Sequence, residues 1–494
     1  MLIDIVRPQD LFHTATGTAF ADIAVGGHRE TWPIRSKRFR GWLRRCYYQA
    51  TGEAASAAEI RSVLDLLEAR AQFDGPERTV HIRTAEHAGH IYLDLADEQW
   101  RAVDIGPEGW KVMGCPPVRF RRPAGMLPLP VPEQGGSIET LQSFLNLASR
   151  NDFVLVVAWL LAALRSGGPY PLLAISGEQG SAKTVLSKLL KALIDPNTAP
   201  VRALSREERE LMIAANNGYV LAFDNLSGLP NWLSDALCRL ATGGSFAVRQ
   251  LYTDDEEILF DATRPILLNG IEEVVSRPDL GDRAIFLTLA PIAETNRRSE
   301  AELWREFGIE RPRILGALLD ALVHGLRAFG SVHLNQLPRM ADFALWTSAC
   351  EPALWPNGTF ARAYAANRRA AIASIIEADP IANCVRAIME DRTMWTGSAS
   401  DLLRLCAESA REDISGSTSL AKNPRALAGR LRRAQTFLRT LGIEITFSRE
   451  GRLGTRMIRV NTSTENTVST VSIVGAARRN GSHLDQPGLA GVSE

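Results

Sequence analysis

The stretch Tyr170-Pro-Leu-Leu-Ala-Ile-Ser-Gly-Glu-Gln-Gly-Ser-Ala-Lys-Thr-Val-Leu-Ser-Lys-Leu-Leu190 decides how the chain is read. Leu172 to Ile175 is a short apolar run of the kind that forms a buried strand. A loop holding Gly177 and Gly180 follows, and from Lys183 the apolar residues recur with a helical period. Strand, loop and helix in this order let the N–H groups of the loop and of the helix N-terminus converge on a phosphate chain. The candidate phosphate-binding residues are Gly177, Glu178, Gln179, Gly180, Ser181, Ala182, Lys183, Thr184 and Val185. Glycines permit close wrapping, Lys183 has the reach for β- and γ-phosphates, and the Thr184 hydroxyl is a ligand for Mg²⁺. The usual pattern, G-x-x-x-x-G-K-[ST], has glycine where this chain has Ala182, so a slightly displaced loop is expected. An ordinary strand-to-helix turn with a surface lysine is the competing reading of this motif taken alone.

Downstream, Gly218-Tyr-Val-Leu-Ala-Phe-Asp-Asn sets an apolar strand directly before Asp224. A continuous apolar run suits a parallel strand buried on both faces, and a carboxylate at its C-terminal end meets the ligand crevice of an open sheet. Asp224 is therefore expected to hold Mg²⁺ opposite Thr184. Asn225 comes next and cannot take a proton. Either it only orients an attacking water while Glu178, Asp235 or Glu207 serves as base, or hydrolysis is slow or absent. A further apolar strand ends in Asn269, placed to position that water. Arg277 and Arg283 precede the apolar run Ala284 to Leu289, from where an arginine can reach a nucleotide held by a neighbouring subunit.

Lys plus Arg and Asp plus Glu number 56 each, so any nucleic-acid site must be a local patch. The six cysteines (Cys46, Cys115, Cys238, Cys350, Cys384, Cys406) lie far apart without metal-ligand spacing and are expected as reduced thiols, which points to a cytoplasmic protein. The apolar run Phe153 to Leu164 is too short to cross a bilayer, which takes about 20 residues. It reads as a buried helix, and no membrane association is expected.

Residues 1–120 read as an N-terminal α+β domain. Within it, residues 28–45 interleave basic side chains with Trp32, Phe39 and Trp42, either a groove for single strands or a core with a solvated basic face. Asp94 and Asp97 read as surface acids. The proline-rich residues 121–136 are expected as a linker, 137–295 as the nucleotide-binding core and 296–378 as a helical bundle. Residues 379–460 offer three helices and a hairpin, and 461–494 are poor in large apolar residues and expected to be disordered. In the third of those helices and the hairpin, Arg425, Arg430, Arg432, Arg433, Arg439, Arg449, Arg452 and Arg456 make the densest basic patch of the chain, suited to phosphates.

The ordered set Gly177 to Thr184, Phe223-Asp224-Asn225, Gly243-Gly244 through Arg249, Leu268-Asn269 and Asp282-Arg283 resembles the motifs of superfamily 3 helicases, a branch of the AAA+ ATPases found in viral, phage and plasmid primase-helicases. The resemblance spans roughly residues 150–295. It implies an α/β fold with a P-loop NTPase (AAA+-like) core, ATP and Mg²⁺ as ligands, a hexameric ring with ATP at subunit interfaces, and DNA, single-stranded, as partner. The three helices and hairpin resemble a winged helix. The hairpin 246–260 would face nucleic acid, with Arg249 and Gln250 as contacts, although its tip is acidic where such hairpins generally carry a lysine. The expected function is an ATP-driven helicase-like translocase of a mobile element. An ATP-gated binding or defence module and a replication initiator are the alternatives.

Overall fold

The computed structural model describes residues 10–205, 207–244, 246–249, 257–260, 262–270, 278–412, 423–450 and 455–462. The chain opens with the antiparallel strands β1 (Asp10–His13), β2 (Ala19–Val25) and β3 (His28–Pro33), followed by helices α1 (Lys37–Thr51) and α2 (Ala57–Phe73). Ser36 and Ser56 cap the two helices, the second through a capping box with Glu59. Phe39, Leu43 and Tyr47 on α1 meet Ile60, Val63, Leu64 and Leu67 on α2 in one core with Trp32. Trp32 and Phe39 are 7% and 0% exposed, which makes them core residues and not platforms for bases.

β4 (Val80–His81) pairs in parallel with β9 (Arg119–Phe120), and between them β5 (Thr84–His87), β6 (His90–Asp94), β7 (Ala102–Gly106) and β8 (Gly109–Met113) form an antiparallel meander. Asp94 is buried, not a surface acid, and pairs with Arg122 at 2.6 Å, while Asp97 pairs with Arg101. Ile82, Ile91, Leu93, Val103 and Ile105 of this region share a hydrophobic core with residues 138–364. Residues 121–136, expected as a linker, are strapped along the surface between the two. Leu129 N donates to Leu95 O, Leu127 N to Pro196 O and Glu133 N to Pro312 O.

A 3₁₀ turn (Ile138–Phe144) leads into α3 (Arg150–Ala163), in which every residue from Phe153 to Ala163 is buried. A helix apolar on all sides must lie inside, and here it packs with the next elements. They are β10 (Leu172–Gly177), α4 (Lys183–Ile194), α5 (Glu208–Asn217), β11 (Leu221–Leu226), α6 (Asn231–Thr242), the hairpin β12 (Phe246–Arg249) and β13 (Glu257–Phe260), β14 (Ile266–Gly270), the short α7 (Pro278–Gly281) and β15 (Ala284–Leu289). Four of these strands form a parallel sheet in the order β11-β14-β10-β15. The helices α8 (Glu300–Ala328), α9 (Ala341–Cys350) and α10 (Thr359–Ala378) pack on the same core. Among the described residues, the helical stretch 300–331 is long and apolar enough to cross a membrane, yet Ile314, Leu315, Leu318, Leu319 and Leu322 are buried in that core.

The last unit comprises α11 (Pro380–Glu390), β16 (Met394–Ser398), α12 (Ala399–Glu412), α13 (Pro424–Thr440), β17 (Ile443–Glu450) and β18 (Thr455–Thr462), with sheet order β16-β18-β17. It has its own core around Leu427, Leu431, Leu438 and Val460, joined by Ile372 and Ile376 of α10. The strand β16 is an addition to the expected hairpin. Two of the six cysteines are not free thiols: Cys384 of α11 and Cys406 of α12 form a disulfide. Residues 463–494, expected to be disordered, lie outside the described residues.

Candidate functional site

The central parallel strand β10 carries the loop on its C-terminal end. Leu172, Leu173, Ala174 and Ile175 are buried, and α4 buries Leu186, Leu189, Leu190, Leu193 and Ile194 beneath the loop at helical spacing. Gly177 (φ +149) and Gly180 (φ +84) adopt conformations that favour glycine. Ala182, at the start of α4, is left-handed as well, with φ 64 and ψ 28. A left-handed conformation favours glycine, so the departure from the motif at Ala182 carries backbone strain. Asn146 holds the loop from outside, its Nδ2 donating to Ser181 O (3.0 Å) and Ala290 O (2.8 Å). Glu178, Gln179 and Gly180 are exposed, Ser181 is buried, and Val185 is partly buried on the first turn of α4.

Lys183 folds back over the loop, its Nζ donating to Gly177 O and Glu178 O, each at 2.7 Å. Thr184 Oγ1 donates to the Asp224 carboxylate at 3.0 and 3.1 Å. Residues 40 apart in sequence thus meet at the C-terminal edge of the sheet. Hydroxyl, carboxylate, ammonium and a helix N-terminus lie together there, a donor and acceptor set that suits a hard cation bridged to phosphate oxygens. Among the described residues no three acidic, His or Cys side chains converge as a metal site of their own, so a cation here would have to draw further ligands from the nucleotide and water.

Asn269 lies on β14, between the strands of the loop and of Asp224, level with Ile175. It is 1% exposed. Its Oδ1 accepts from Asn225 N (3.0 Å) and its Nδ2 donates to Ser187 Oγ (3.2 Å). Each end of the carboxamide thus has a partner within the protein, and through Asn225 N it braces the Asp224 strand end. Asn225 itself is exposed with φ 58, a left-handed residue that turns the chain immediately after Asp224. Sequence reasoning overlooked Ser187 and Asn146. Their only signal is a polar residue on an apolar helix face and an asparagine ahead of α3.

Arg283 sits at the opposite end of the sheet. β15 runs beside β10 from Leu172↔Ala284 to Gly177↔Leu289, so Arg283 is roughly 20 Å from the loop of its own chain at ~3.3 Å per residue. It is partly buried, and its carbonyl accepts from Leu172 N at 2.9 Å. Arg368 on α10 grips the preceding Asp282 at 2.7 Å. Of the expected bases, Glu178 is exposed in the loop, Glu207 precedes α5 and Asp235 lies on the outer side of α6.

The candidate nucleic-acid residues separate. Arg425, Arg432, Arg433 and Arg439 are exposed on α13, Arg432 lying 4.6 Å over the Phe447 ring. Arg430, partly buried, pairs with Asp379 at 3.2 Å. Arg449 and Arg456 face each other across β17 and β18, exposed. Arg249 closes the β12–β13 pairing opposite Glu257. Gln250, Arg277, Arg452 and the acidic hairpin tip lie outside the described residues.

Residues 138–368 match the family model described as actinomycete integrative conjugative element replication protein, and residues 381–473 match the AICE RepA C-terminal domain. The two matches follow each other in chain order and describe parts of one kind of protein, a replication protein of a mobile element. No curated protein matches the chain. Among solved structures it is similar to the A-form apo structure of the NrS-1 C-terminal region (TM-score 0.42, 10% identity, 92% of this chain and 96% of that one). It is also similar to a JCV helicase bound to an acetamide ligand (TM-score 0.24, 16% identity, 35% and 55%). With TM-scores this low, neither likeness decides fold or function.

Proposed function

We propose that this chain is an ATP-dependent, helicase-like DNA motor serving the replication of a mobile element, with a P-loop core of the superfamily 3 type and a winged-helix unit at residues 379–460. The observation that carries the reading is the meeting of Lys183, Thr184 and Asp224 at the C-terminal end of the parallel sheet. In this reading the N–H groups of residues 178–185 cradle the phosphates, and the Lys183 ammonium exchanges the carbonyls of Gly177 and Glu178 for phosphate oxygens. Thr184 and Asp224 hold Mg²⁺, which when bound neutralises charge on the phosphate chain. Asn269 keeps Asp224 aligned by tethering the backbone of Asn225. Arg283, remote from its own loop, serves the loop of a neighbouring copy, which requires a ring or a comparable head-to-tail assembly. The exposed arginines of α13 and of β17 and β18 hold DNA through its phosphates.

The test is ATP turnover with and without single-stranded DNA in the wild type and in Lys183→Ala. The motor reading expects DNA to stimulate turnover and the substitution to lower it about 100-fold or more. Tight ATP binding without turnover would instead favour an ATP-gated binding module, the reading to which Asn225, in place of an acid, lends weight.

A further inference from the structure

The N-terminal region holds a second concentration of positive charge, outside the residues that match either family model. Helix α1 carries Lys37, Arg38, Arg40, Arg44 and Arg45 and no carboxylate, in a chain whose formal net charge is zero. The neighbouring acids are already engaged: Arg35 takes Asp65 and Glu68, and Arg38 takes Glu30 at 2.9 Å while lying 4.6 Å over the Trp32 ring. Lys37, Arg40, Arg44 and Arg45 are exposed and make no ion pair among the described residues. Positions 37, 40, 44 and 48 fall on one stripe of a helix, about 16 Å long. Tyr48 closes the stripe and is 62% exposed. Like charges four apart, as at Arg40 and Arg44, oppose helix formation, so the pattern works against the stability of the helix that bears it.

We propose that this stripe of α1 is a second phosphodiester-binding surface, which holds a nucleic-acid strand by its phosphates with Tyr48 as a stacking face for a base. Arginine forks match phosphate oxygens, and an exposed tyrosine beside a cationic track is the arrangement that single strands use. An acidic membrane is the weaker occupant. Membrane-surface helices insert an apolar face, and the apolar face of α1, Phe39, Leu43 and Tyr47, is sealed against α2 and Trp32. The inference deepens the nucleic-acid part of the reading above and is independent of ATP turnover.

The experiment is an anisotropy titration of the full chain with a labelled oligo-dT strand from 50 to 300 mM NaCl. It compares wild type, the quadruple variant Lys37→Gln, Arg40→Gln, Arg44→Gln, Arg45→Gln, the milder Arg44→Gln, and Tyr48→Ala. The quadruple variant is expected to bind at least tenfold more weakly at 100 mM salt, with a log–log salt slope shallower by about 3, and Arg44→Gln shallower by about 0.7. Tyr48→Ala should weaken binding severalfold at unchanged slope. The melting temperature of the charge variants should equal or exceed that of the wild type, and DNA-independent ATP turnover should stay at the wild-type value. Unchanged affinity and slope in the folded variants overturns the proposal while leaving the motor reading standing. Loss of binding to phosphatidylserine vesicles but not to the strand also overturns it, in favour of a lipid. Strand binding that depends on α1 in a protein without turnover supports the proposal and removes only the motor.

Discussion

Ala182 shows what one methyl group does at the head of a helix. A left-handed alanine costs roughly 1–2 kcal/mol relative to its ordinary conformations, a strain glycine does not feel. Ala182→Gly is therefore expected to raise the melting temperature by a few degrees at unchanged or tighter binding of an ATP analogue, read by calorimetry. The two loop glycines are unequal. A Cβ at Gly177 would meet Leu289 O at 2.5 Å and Ser181 Oγ at 2.9 Å, whereas at Gly180 nothing lies within 4 Å. Gly177→Ala should thus lose nucleotide binding, with Gly180→Ala retaining most of it. Asn269→Ala removes one of the two acceptors of Asn225 N, leaving Asp224 Oδ1, and the donor to Ser187 Oγ, which keeps Lys183 O; losing two hydrogen bonds should cost about 1–3 kcal/mol in denaturant unfolding.

Among elements, the meander is bolted to the helix that follows the loop. Arg83, fully buried, donates to Asp195 Oδ1 (3.2 Å), Asp94 O and Leu127 O, and the other Asp195 oxygen accepts from Tyr219 N and Val220 N. Asp195→Ala strands a buried guanidinium and should cost about 3–5 kcal/mol in denaturant unfolding. His81, partly buried near Arg264, has its pKa lowered from 6.5 to about 4 by desolvation and then by that charge. Above pH 6.5 the imidazole is neutral whether the chain is folded or not. Between pH 6.5 and 4 the unfolded chain takes up a proton that the folded one refuses, so stability should fall with pH in that window, by about 3 kcal/mol at most. His81→Phe should flatten that limb of the profile.

For the whole molecule, the separation of Arg283 from its own loop makes assembly testable. Lys183→Ala and Arg283→Ala copies should each be inactive alone, and their mixture should regain turnover, since an intact loop then meets an intact arginine. No regain would show that Arg283 does not act across an interface. The strap 133–136 has a role at the same scale. A Cβ at Gly316 would run into Glu133 O, and one at Gly136 into Arg313 O, so the strap and α8 touch backbone to backbone.

The order of strand, loop, helix and acid-tipped strand was legible along the chain, because buried parallel strands need continuous apolar runs and the loop takes conformations at Gly177 and Gly180 that favour glycine. So were the basic helix α13 and the buried helix α3. Local pattern could not show that β14 lies between β10 and β11, which turns Asn269 inward to brace Asn225. It could not show that Arg430 pairs with Asp379, or that Cys384 reaches Cys406. Nor could it show that the linker 121–136 hydrogen-bonds to Leu95, Pro196 and Pro312 along its course. Periodicity reports which face of an element is buried, whereas partners brought together from distant parts of the chain are chosen only when the elements pack.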